Sequence, residues 1–211
     1  MMRSTIKEMM TYNTLLFSCF LALTLSSLSI ANAVTIEPKC SYDKEKMLEL
    51  SPKAFDQNYE EGWPSLVKNG ECLETAADLI HTYYTKNEIS TGAMRTFVWH
   101  EGQLRAEVGQ YQQAIRLMQQ ATKPADKDSS GWNHYVHATI AFLKSDMKQL
   151  RALREELASV PKPEGFNPKD ANGNPIQVDW PPNLAIVDKF ILCFGQPYSE
   201  AYGGCTKETQ P

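Results

Sequence analysis

His134 and His137 stand three residues apart in a segment that reads as helix, so both imidazoles can project from one side. With Asp128 or Glu101 nearby, such a pair could hold zinc or serve as general base in a metal-dependent hydrolase. Catalytic zinc takes a third protein ligand beside an open position, and no His-Glu-x-x-His pattern supplies one. His100-Glu101 raises the same question with less support. Asp126-Lys-Asp128-Ser-Ser130-Gly131 sets oxygen side chains at alternate positions before a glycine, like the first half of a calcium loop. Its twelfth position is His137 where a bidentate Glu is needed, and capping of the following helix accounts for the same residues. Ser, Cys and His do not group for covalent catalysis. Glu60-Glu61 and Glu155-Glu156 read as solvated helix faces. No catalytic residue, metal or cofactor is expected.

These residues sit behind an export signal. Arg3 and Lys7 precede an apolar run from Leu15 to Ile30, which closes on Ala31-Asn32-Ala33, a small-x-small cleavage site. Ser18, Thr24, Ser26, Ser27 and Ser29 dilute the run below what a retained membrane anchor requires. We therefore expect residues 1–33 to be a signal peptide and the protein to be periplasmic or secreted. No Asn-x-Ser/Thr acceptor occurs in the chain, which favours a bacterial periplasm over a glycosylating route.

Behind the leader lie Cys40, Cys72, Cys193 and Cys205, an even count that reads as disulfides in an oxidising compartment. The expected pairing is local, with Cys40–Cys72 pinning an N-terminal arm and Cys193–Cys205 closing a C-terminal loop. The chain carries 21 basic and 25 acidic residues, a net charge of −4. That balance, without a basic block, argues against nucleic acid and anionic membrane surfaces as partners. No later segment is apolar for long enough to span a bilayer.

Helical periodicity fills the middle of the chain. Residues 34–50 form a polar arm, and 51–160 a helical domain. Its first helix starts at Ser51-Pro52, a cap followed by proline at the first helical position, and runs towards Lys68, interrupted by Gly62 and Pro64. Glu71–Lys86 places Cys72, Ala76, Leu79, Ile80 and Tyr83 on one face. Ser90–Glu107, Tyr111–Thr122, Trp132–Leu143 and a helix opened by Ser145-Asp146 follow. Residues 161–211, rich in proline, turn at Asn172-Gly173 and end in a helix from Asn183 to Phe194. This segment is expected to cap the open apolar end of the helical domain.

Small residues recur at Gly102, Gly109, Ala114 and Ala121, with a bulky residue at Tyr111 and a large apolar one at Met118. This stretch resembles the tetratricopeptide repeat, a helix–turn–helix unit that stacks into a scaffold. Trp99 to Tyr135, Gly102 to Ala138 and Gly109 to Ser145 share one offset, extending the resemblance loosely to a second hairpin. It implies an all-α, right-handed stack of about three hairpins. In that family the first helix of each repeat lines a groove for an extended peptide or a partner's surface. By position the resemblance points to Thr96, Trp99, Gln103, Ala106 and Glu107, with Tyr135 as the counterpart of Trp99. Trp99 and Tyr135 are then either an exposed anchor for a partner or a packing contact between repeats. The expected function is non-catalytic binding of another protein or peptide, as an adaptor, an assembly factor, or an immunity protein against a delivered toxin. The competing class is an envelope hydrolase using His134 and His137.

Overall fold

Side-chain caps start the helices. Asp43, Ser51, Ser90 and Asp146 each accept a backbone N–H three residues on, satisfying a donor that the first turn leaves open. The computed structural model describes residues 39–170 and 172–205, so the expected signal peptide and the start of the arm lie outside them. Among the described residues the chain is all-helical, apart from one isolated bridge between Lys169 and Pro175. The helices are α1 (Lys44–Leu48), α2 (Pro52–Gln57), α3 (Leu73–Lys86), α4 (Thr91–Glu107), α5 (Tyr111–Gln120), α6 (Trp132–Leu143), α7 (Met147–Ala158), α8 (Leu184–Leu192) and α9 (Tyr198–Gly203). None of them is long and apolar enough to cross a membrane.

The helix expected from Ser51 towards Lys68, interrupted at Gly62 and Pro64, is divided there into α2 and a 3-10 turn, Trp63–Val67. At Gly62 the backbone folds back onto α2 so closely that a Cβ would collide with the carbonyl oxygens of Ala54 and Phe55. Within the expected polar arm, Asp43 caps the short α1, which buries Met47.

The long helix α4 is central because it is apolar on two sides. Phe97 and Leu104 pack with Phe55, Leu79, Ile80 and Tyr83 into one cluster, where the Phe55 and Tyr83 rings stack at 3.8 Å. Val98, Trp99 and Ala106 face a second cluster shared with Ala114, Met118, Tyr135, Leu150 and Phe190. Fully burying each such large side chain contributes roughly 1.5–3 kcal/mol. Gly109, at φ +77°, turns the chain between α4 and α5. Gly102 lets these two helices approach, since a Cβ there would stand 3.0 Å from the Met118 Cγ.

α6 and α7 form a second packed pair, and α8 lies against both of them. An ion pair from Arg154 to Asp188 (2.8 Å) joins α7 to α8. α9 then crosses from α8 to α4. Both expected cysteine pairs lie at bonding distance, Cys40–Cys72 with Cα atoms 5.5 Å apart and Cys193–Cys205 at 5.7 Å.

Candidate functional site

One face of α4 presents the residues that sequence reasoning singled out, and the structure divides it in two. Its C-terminal half is covered by the chain's own tail. Gln103, half-buried, donates to the Tyr198 hydroxyl at 3.5 Å. Ala106 is buried. Glu107 is half-buried, and loss of solvent pushes its carboxyl above the ordinary Glu range. Tyr198 is fully buried among Phe142, Phe190 and Tyr202. The Tyr135 hydroxyl is driven upward in pKa chiefly by burial, with the Tyr198 and Tyr202 phenols adding to it.

The N-terminal half of the same face is open. Thr96 is exposed there, and Trp99 shows one edge to a cavity of about 390 Å³ that Arg95, His100, Lys123 and Trp132 also line. Trp99 is only 5% exposed and Tyr135 only 2%. They are thus a packing pair, with ring centroids 5.2 Å apart, and not an open anchor. The reason is Trp132, which meets Trp99 edge-on at 4.9 Å and Tyr135 at 5.6 Å, so each ring shields the others. Trp132 is fixed by its indole N–H, which donates to the Ala121 carbonyl at 2.8 Å. The Asp128 carboxylate accepts from the Trp132 and Asn133 amides at 2.8 and 2.7 Å. That capping role accounts for the calcium-like loop.

His100 borders the cavity and is oriented from behind. Its Nδ1 lies 2.7 Å from Asp56 Oδ1, and the Trp63 indole donates to the same carboxylate at 3.0 Å, as does the Gln57 amide. Burial raises the Asp56 pKa, but the hydrogen bonds and the His100 charge outweigh it and hold the carboxyl below its ordinary range. Such a dyad could orient an imidazole as general base, leaving Nε2 for a substrate. No hydroxyl or thiol among the described residues is bonded to it as a nucleophile. Its evident effect is to fasten α2 and the 3-10 turn to α4.

On the opposite side of α4, Glu101 is fully buried. It accepts from the Tyr84 hydroxyl at 2.6 Å and pairs with Arg105 at 3.3 Å. Arg105 reaches on to Asp78 and Gln110, at 2.5 and 3.1 Å. This network ties α3 to α4.

His134 lies 3.1 Å from Glu156, and His137 is exposed. Among the described residues no group of three or more His, Cys, Asp or Glu side chains is placed to hold a metal.

Several residues of the cavity escaped the sequence reading. Trp132 lies one helical turn before Tyr135, so its shared face was legible. Lys123 stands in a loop, and Asp56 meets His100 across 44 residues, where no local pattern operates. Comparison with family models, curated proteins and solved structures finds no match to this chain.

Proposed function

We propose that this protein is a non-catalytic binding scaffold, built on tetratricopeptide-like hairpins and working outside the cytoplasm, that takes a segment of a partner protein at the open end of α4. The observation that carries this reading is the divided face: α9 fills one half, while the other remains a cavity with two tryptophan edges and an exposed threonine. Pockets of roughly 300–1,000 Å³ with apolar walls and a few polar groups are the usual form of a ligand site. The partly exposed Trp132 ring, with the edge of Trp99 behind it, supplies aromatic surface of the kind that anchors protein interfaces. Two staples fit an oxidising compartment, in line with the export signal. An adaptor, an assembly factor and an immunity protein all use a site of this kind, and the partner's identity separates them.

The test is affinity capture of the full chain from its native host's envelope fraction, compared with Thr96→Trp. That substitution fills the cavity from an exposed position and leaves the core intact. One dominant partner, lost on Thr96→Trp with the circular dichroism spectrum unchanged, supports the reading. A partner held equally by both proteins overturns it.

A further inference from the structure

The cavity at the open end of α4 has a charge opposite to that of the chain around it. The protein carries 25 acidic against 21 basic residues, yet the cavity wall contains Arg95 and Lys123 and no acidic side chain. Arg95 and Lys123 have no carboxylate partner among the described residues. Nor is Lys123 loosely placed. Its backbone N–H donates to the Asn133 side chain at 2.8 Å, and its carbonyl accepts from the same amide at 2.9 Å. Its ammonium lies 5.8 Å from the centroid of the Trp132 ring, at the cavity's edge. His100, with Nδ1 committed to Asp56, keeps Nε2 for a ligand. Asp56, the carboxylate behind His100, already accepts from three donors.

Resting on the binding reading above, we infer that the site takes an acidic peptide segment: one large apolar side chain set against the Trp99–Trp132 corner, with flanking Asp or Glu carboxylates on Arg95 and Lys123. The cavity volume admits about one aromatic side chain with its neighbouring backbone, not a helix laid lengthwise. A cationic segment would meet two uncompensated positive charges. A neutral one would gain the aromatic contact alone.

Titration calorimetry with the full chain and three capped peptides, Ac-Gly-Glu-Phe-Glu-Gly-NH2 and its Gln and Lys counterparts, separates these cases. We expect the acidic peptide to bind at least about tenfold more tightly than the Gln peptide, with the gap shrinking as salt rises, since a hydrogen bond to a charged group is worth about one such factor. The Lys peptide should show no heat of binding. In Arg95→Gln/Lys123→Gln, with the circular dichroism spectrum unchanged, the acidic and Gln peptides should become equal. Equal binding of the acidic and Gln peptides to the wild type overturns the inference, as does a gap that survives the double substitution. Phenylacetate binding as tightly as the acidic peptide overturns it in favour of a small-acid site. If no peptide binds but partner capture still depends on Thr96, the acidic class fails while the scaffold reading stands. If capture is also indifferent to Thr96→Trp, both fail.

Discussion

The backbone amide of Tyr198 donates to the Tyr111 hydroxyl at 3.2 Å, joining residues 87 positions apart. Tyr111 opens α5, directly after the turn that follows α4, and Tyr198 opens α9. The bond therefore seats the first turn of the tail helix beside the middle hairpin. Around it, Tyr198 packs on Phe142 and Phe190 with no exposed surface. The tail is in this sense a core element, and its removal would uncover a large apolar face.

Substitutions at the two ends of that bond should differ in size. Tyr111→Phe removes the acceptor and leaves an amide short of a partner, a loss of about 1 kcal/mol. Tyr198→Ala empties a fully buried aromatic site and should cost roughly 3–5 kcal/mol. Urea unfolding measures both, and equal midpoints for the two variants would show that α9 is not packed as described.

The central helices were legible because their signals are local. Ser90 and Asp146 cap, Gly109 turns, and α3 shows one apolar face at helical spacing. Only the all-helical class follows from those signals, because handedness and stacking depend on contacts between helices. The covering of Gln103 and Glu107 was not legible. α9 is six residues long, too short for periodicity to register, and it meets α4 nearly a hundred positions away in sequence. Nor could Trp99 and Tyr135 be identified as buried until Trp132 was placed between them. The cavity is what remains when that aromatic corner and the tail are both in position.

Gly102 should accept no branched side chain. A Cβ at this position already stands 3.0 Å from Met118 and 3.4 Å from the Ala114 carbonyl oxygen. Met118 has no exposed surface into which it could retreat. Gly102→Val is therefore expected to lose about 1–3 kcal/mol through overpacking, in spite of valine's better helix propensity. Thermal denaturation decides it, and an unchanged melting temperature would mean that α4 and α5 are further apart than the structure has them.

The network around Glu101 should break asymmetrically. Glu101→Ala takes from the Arg105 guanidinium, itself 5% exposed, its one buried carboxylate partner, leaving it the exposed Asp78, and takes from the Tyr84 hydroxyl its carboxylate acceptor. A buried charge left with no partner costs roughly 3–5 kcal/mol, and the pair that Arg105 keeps with Asp78 holds the loss below that. Glu101→Leu combined with Arg105→Leu removes both charges and should lose less than Glu101→Ala alone. A double variant as unstable as the sum of its parts would show that the pair is not coupled.

Asp56 and Glu107, both on or against α4, should affect acid stability with opposite signs. The donors around Asp56 hold its folded pKa below the unfolded value, so its contribution is complete above about pH 4 and fades as pH falls through the folded pKa. Asp56→Asn should therefore be less stable than wild type at pH 7, with the gap closing in acid. Burial holds the folded Glu107 pKa above the unfolded value. Below about pH 4 both states are protonated and nothing is lost. As pH rises towards the folded pKa the unfolded chain ionises first, and the native state is penalised from there upward. Glu107→Gln should match the wild type in acid and exceed it at neutral pH. Urea midpoints for the three proteins between pH 3 and 7 would show two diverging curves on either side of the wild type. A Glu107→Gln curve lying below the wild type at pH 7 would mean that the carboxylate is solvated, and that the tail does not cover this end of α4.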